Sequence, residues 1–116
     1  MQITDKVSVV TGAASGIGHA TALELVTQGA KGIALVDLNE RPLRDLADEI
    51  NSTAGSEVAL PFAGDVTDED FRALVFDEAT RQHGIVQIVV PAAGIFRDRM
   101  AVKIDRDSGK ADIYPA

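Results

Sequence analysis

Short apolar runs alternate along this chain with longer stretches whose apolar residues recur every three or four positions. Residues 7–10, 32–36 and 85–90 are nearly continuous in Val, Ile, Leu and Ala, and residues 57–62 form a fourth extended segment. Runs of this length bounded by glycine and polar residues read as strands, and continuous apolarity implies cover on both faces. Between them, residues 17–29 place Gly18, Ala22, Leu25, Val26 and Gly29 on one helical stripe, Gly29 suiting the helix end. The next helix is expected to start at Asn39 as its cap, with Pro42 tolerated in the first turn. Leu43, Leu46, Ala47 and Ile50 then fall at i, i+3, i+4 and i+7. The third helix is expected to be capped by Thr67, with Asp68, Glu69 and Asp70 in its first turn, where the helix dipole favours negative charge. Phe71, Leu74, Val75 and Ala79 make its apolar stripe, and Gly84 ends it.

Strands alternating with amphipathic helices predict an α/β fold with a parallel sheet. Right-handed crossovers then give the spatial order 3-2-1-4, a Rossmann-type half of a doubly wound sheet. After residue 99 the pattern changes. Val102 and Ile104 alternate with Lys103 and Asp105, and Ala111 and Ile113 alternate with Lys110 and Asp112. Arg106-Asp107-Ser108-Gly109 lies between them, so a β-hairpin is expected. The division is therefore a βαβαβαβ domain over 1–99 and a hairpin tail over 100–116. In the order 3-2-1-4 the segment Gln87-Ile88-Val89-Val90 is an apolar edge without lysines. Self-association through residues 86–90, or through the hairpin, is expected.

The chemistry lies at the first strand-to-helix junction, Thr11-Gly12-Ala13-Ala14-Ser15-Gly16-Ile17-Gly18. Three glycines there permit a tight turn and let a bulky anion approach backbone N–H groups, which is how an open α/β sheet holds a pyrophosphate. The spacing is G-x-x-x-G-x-G rather than G-x-G-x-x-G. Asp37 ends the second strand, 19 residues beyond Gly18. A carboxylate there can accept both hydroxyl hydrogens of an adenosine ribose, and it repels a 2′-phosphate. Leu38 follows it and Ser15 sits in the loop, so no basic residue reverses the preference, and NAD is favoured over NADP.

These residues resemble the N-terminal half of the short-chain dehydrogenase/reductase family. The family's Thr-Gly-x-x-x-Gly-x-Gly is matched by Thr11 to Gly18, and its acidic residue after the second strand by Asp37. Its Asp-Val pair after the third strand is matched by Asp65-Val66, which the resemblance sets against the adenine ring. Its Asn-Asn-Ala-Gly segment aligns with Pro91-Ala92-Ala93-Gly94, where both asparagines are replaced. The resemblance implies a cofactor set of Thr11, Gly12, Ala14, Ser15, Gly16, Ile17, Gly18, Asp37, Leu38, Asp65, Val66, Ala92, Ala93 and Gly94. It also implies an NAD-dependent oxidoreductase of alcohols or carbonyls. The family's catalytic Ser and Tyr-x-x-x-Lys belong beyond the fourth strand. The one tyrosine here is Tyr114, with two residues after it, so no catalytic residue is assigned and the chain reads as truncated before the catalytic half. Ser108, Lys110 and Tyr114 have the wrong spacing to substitute.

Composition narrows the alternatives. The 116 residues are enough for one small domain, and 46% hydrophobic with 25% charged residues is ordinary for a globular protein. A net charge of −7 disfavours nucleic acid and anionic membranes as partners. There is no cysteine, which excludes disulfides and thiol chemistry. The first strand begins too close to Met1 for a signal peptide, no apolar run has the length of a membrane span, and a cytoplasmic setting is expected. His19, in the first turn of the first helix, is read as a surface residue rather than a phosphate ligand. His83 is read as structural, with its cation suiting the C-terminal end of the third helix. Asp68, Glu69 and Asp70 read as helix-start acids rather than metal ligands. Two functions remain: the coenzyme-binding portion of an oxidoreductase, or a non-catalytic NAD-binding or assembly module with the hairpin as its contact surface.

Overall fold

The computed structural model describes residues 2–92 together with two strands, Met100–Ile104 and Ala111–Pro115. The elements run β1 (Val7–Thr11), α1 (Gly16–Thr27), β2 (Gly32–Asp37), α2 (Glu40–Ala54), β3 (Ala59–Ala63), α3 (Glu69–His83) and β4 (Val86–Pro91). They are followed by β5 (Met100–Ile104) and β6 (Ala111–Pro115). The first four strands form one parallel sheet in the order β3-β2-β1-β4, as the alternation predicts. Strands β5 and β6 pair antiparallel in a separate two-stranded sheet, with Val102 opposite Ile113, as expected of a hairpin. The expected turn residues, 106–109, lie outside the described residues.

Helices cover both faces. On one face α1 and α2 bury Ala22, Leu25, Leu43, Leu46, Ala47 and Ile50 against Val10, Ile33 and Leu35. Each fully buried Leu or Ile there contributes about 1.5–3 kcal/mol of hydrophobic stabilisation. On the other face α3 packs Val75 and Ala79 on Val9, Ala34 and Val36. β1 and β2 are buried along nearly their whole length, which explains why these segments are continuously apolar. β4 is half-buried, and among the described residues its main chain pairs only with β1. Gln87, its one polar side chain within 86–90, is exposed at a register irregularity between β1 and β4. Pro91 is the last residue of β4, where the missing N–H is tolerated.

Several local expectations are corrected. The cap of α3 is Asp68, not Thr67: its Oδ1 accepts from the N–H groups of Asp70 and Phe71, at 2.9 and 3.2 Å. Thr67 is unavailable because its hydroxyl and N–H both donate to Asp65 Oδ1. Asn39 is the cap residue of α2, but its side chain makes no capping bond. Its N–H instead donates to Asp37 Oδ1 at 3.0 Å. Leu74 is 53% exposed rather than part of the core stripe. The helix is rotated so that the flank carrying Arg72 and Phe76 meets the sheet beside Phe71 and Val75, which turns Leu74 outward. β3 begins at Ala59, two residues later than expected, and α1 ends at Thr27 with Gln28 as its cap.

Candidate functional site

In a parallel sheet every strand ends on the same side, so the segments after β1, β2, β3 and β4 converge at one rim. The chain reverses direction of growth between β1 and β4, the place where open α/β sheets open a crevice. The hydrogen bonds show how the four segments are tied. Ala13 donates to Val36 O at 3.0 Å, Gly64 to Asp37 O at 3.0 Å, and Ala92 to Thr11 O at 2.9 Å.

The glycine turn is shaped by two distinct demands. Gly12 has φ of +68°, a left-handed conformation that L side chains avoid. Gly18 has no room for a side chain, because a Cβ would overlap the carbonyl of Gly12 and stand 2.8 Å from Ala13 Cα. Gly16 differs: a Cβ there would meet none of the described residues within 4 Å. The fold itself does not require a glycine at that position, whereas a large anion resting on the α1 N-terminus would. Ser15 caps α1, its Oγ accepting from Gly18 N–H at 3.1 Å and donating to Gly12 O at 2.7 Å. The same hydroxyl lies 3.4 Å from Ala92 O, joining the turn to the end of β4. The sequence signal for this capping role, not used in the sequence reading, is a serine placed just before a helix. Thr11 is buried, Ala14 is partly buried, and Ile17 is 71% exposed at the rim.

Asp37, partly buried at the end of β2, holds the turn from the other side. Its Oδ2 accepts from Ala14 N–H at 3.0 Å and its Oδ1 from Asn39 N–H. A carboxylate has about four acceptor positions, so two remain for a ligand's hydroxyls. Leu38 beside it is 57% exposed and carries no charge. Beyond β3, Asp65 is exposed, and the Thr67 hydroxyl and N–H hold its carboxyl below the usual carboxylate range. Val66 is buried with Val36 and Val75, so the rim at this point is formed by the turn more than by its side chain. The carbonyl of Val66 is gripped by Arg72 Nη1 at 3.0 Å, a contact for which the sequence offers no signal. Ala92 is buried at the end of β4, while Ala93 and Gly94 lie outside the described residues.

His19 has Nε2 3.9 Å from Glu49 Oε1 of α2, in keeping with a surface role. The acids at the start of α3 serve the helix: Asp68 is committed to its cap, and Glu69 and Asp70 occupy the first turn.

The parallel sheet and its glycine turn define a Rossmann-type half-fold. This chain belongs to the short chain dehydrogenase family, whose pattern matches residues 6–112. It is similar to the 3-oxoacyl-[acyl-carrier-protein] reductase FabG of Thermotoga maritima, with 34% identity over 97% of this chain and 45% of that protein. It is 42% identical to the short-chain dehydrogenase anuF of Penicillium roqueforti over 77% of this chain and 33% of that protein. Among solved structures, an NAD+-bound xylitol dehydrogenase superposes with a TM-score of 0.67 at 34% identity, covering 77% of this chain and 33% of that one. A short-chain dehydrogenase/reductase of Burkholderia phymatum in complex with NAD gives 0.69 at 29% identity over 77% of this chain and 31% of that one. The chain thus spans less than half the length of these relatives. Among the described residues, no helix is long and apolar enough to cross a membrane.

Proposed function

We propose that this chain binds NAD in preference to NADP, as the coenzyme-binding portion of an oxidoreductase that moves hydride between the nicotinamide and an alcohol or carbonyl carbon. The observation that carries this is the pairing of Asp37 with the glycine turn. Its carboxylate is fixed by Ala14 and Asn39 at the rim, beside the open space over Gly16. The pyrophosphate would lie at the N-terminus of α1, the ribose hydroxyls would donate to Asp37, and the adenine would rest near Asp65-Val66. The similar structures with bound NAD support the same reading. The 116 residues contain no Tyr-x-x-x-Lys, so for this chain alone the proposal is binding rather than turnover.

Calorimetric titration with NAD and NADP tests it. NAD is expected to bind more tightly, and Asp37→Ala to remove most of the difference, because a 2′-phosphate then meets no opposing charge. Equal affinities in the parent chain, or no binding of either dinucleotide at millimolar concentration, would overturn the proposal.

A further inference from the structure

We propose that Arg72 is a positioning residue for the adenine end of the site, acting through the carbonyl of Val66. This rests on the reading of the rim as a dinucleotide cradle. The turn between β3 and α3 closes mainly on itself. Asp65 Oδ1 takes both the hydroxyl and the N–H of Thr67, and Asp68 N–H donates to Asp65 O at 3.0 Å. Bonds of that kind set the shape of a turn but not where it stands relative to the sheet. Its placement depends on three outward ties. Gly64 N–H donates to Asp37 O, the Val66 side chain is buried against Val36 and Val75, and Arg72 Nη1 donates to Val66 O at 3.0 Å.

Two of the three come from α3, and of these the arginine gives the hydrogen bond to the Val66 carbonyl. The rotation of that helix, which turns Leu74 outward, brings the Arg72 flank against β1 and β2 beside Thr11, Val36 and Val66. Phe71 on the same turn of helix lies over Gly64, where a Cβ would overlap its ring. Arg72 is half-buried, and among the described residues no carboxylate stands within ion-pair distance of it. In an acidic chain, a half-buried arginine whose recorded partner is a main-chain carbonyl is spent on holding that carbonyl. Hydrogen bonds with a charged donor are shorter and stronger than neutral ones. Because Gly64 also bonds Asp37, holding Val66 keeps the adenine-facing turn in register with the ribose-facing carboxylate.

The test uses the full 116-residue chain with Arg72→Met and Arg72→Lys, titrated with NAD and with inorganic pyrophosphate. Losing a bond from a charged donor predicts about tenfold weaker NAD binding in R72M. Pyrophosphate affinity is expected to stay unchanged, since the glycine turn is untouched, and R72K is expected to recover most of the loss. Without ligand, the amides of Thr67 and Asp68 are expected to exchange faster in R72M and to regain protection in R72K. Unchanged NAD affinity in R72M overturns the proposal. So does an equal loss for NAD and pyrophosphate, which marks general destabilisation. A parent chain that binds neither probe overturns the cofactor reading itself, a result visible before any substitution is made.

Discussion

The two ends of the sheet use glycine for opposite purposes. At the carboxyl ends of the strands, Gly16 faces open space, and none of the described residues fills the volume a side chain would take. At the amino end of β2, Gly32 lies against the imidazole of His83, where a Cβ would overlap the ring and stand 2.7 Å from His83 Cβ. One glycine leaves room that none of the described residues takes. The other makes room for the last residue of α3. Gly18 combines the two situations, since it stands in the cofactor motif yet is required by the Gly12 carbonyl. A glycine in a motif is therefore not by itself evidence of ligand contact. What separates the cases is whether the space is already occupied by protein.

Alanine substitution breaks this comparison open. Gly18→Ala is expected to have the largest effect, costing about 3 kcal/mol or more, because the new methyl overlaps backbone that cannot rotate away. Gly16→Ala is expected to do the reverse. It adds a better helix former in the first turn of α1, worth up to about 0.5–1 kcal/mol, and places a methyl in the space left for the anion. Urea denaturation followed by circular dichroism reads the stabilities, and NAD titration reads the site. If Gly16→Ala leaves NAD affinity intact, that space is not where the ligand rests.

The same contrast explains what could be read from the chain in advance. The strand order, the helices and the glycine turn follow from periodicity and from turn chemistry, which are local and repeat along the sequence. Asp37 was legible because a carboxylate at the end of the second strand has a geometric reason to be there. The roles of Thr67 and Asp68 were exchanged because either residue can cap a helix. The choice was made by Asp65, which takes the Thr67 hydroxyl. The exposure of Leu74 and the Arg72–Val66 contact share one cause that periodicity does not show, the rotation of α3 by part of a turn, which depends on how Phe71 and Phe76 seat on the sheet. Gly32 carried no sign of its partner, because His83 lies 51 residues away in the chain and meets it only in the fold.

Gly32→Ala is expected to cost about 1–3 kcal/mol through overpacking, a smaller effect than at Gly18 because a side chain can move where a backbone carbonyl cannot. His83→Ala should relieve the part of that cost imposed by the ring, though not the approach to the His83 Cβ, so the double variant should be more stable than the sum of the single changes predicts. NAD affinity should be unaffected in all three at temperatures where they remain folded, since the sheet end they alter is not the binding rim. Additive losses in denaturant unfolding would show that the ring is not what excludes a side chain from position 32.

The smallest effect concerns charge at that same end. As a cation at the C-terminus of α3, His83 was expected to be favoured by the helix dipole. The packing works against this. Burial pushes the imidazole below its ordinary value and the nearby Lys31 charge pushes the same way, while Glu57 opposes them. The ring's Nε2 is buried without a hydrogen-bond partner among the described residues, so the proton that would charge it gains nothing there. A folded-state value below the unfolded one means that the unfolded chain takes up the proton first. Above the ordinary histidine range, near pH 6.5, both states are neutral and the group has no effect on stability. As the pH falls from there toward the folded-state value, stability is lost. The depressed carboxyls of Asp65 and Glu78 act in a separate window, since their contributions fade only as the pH drops through the carboxylate range. Denaturant unfolding between pH 7.5 and about pH 5 should therefore show a decline in the parent chain that is shallower in His83→Gln. An equal slope in the two would mean that the imidazole accepts its proton as readily in the fold as out of it, and that the amino end of the sheet is not the dry contact its geometry describes.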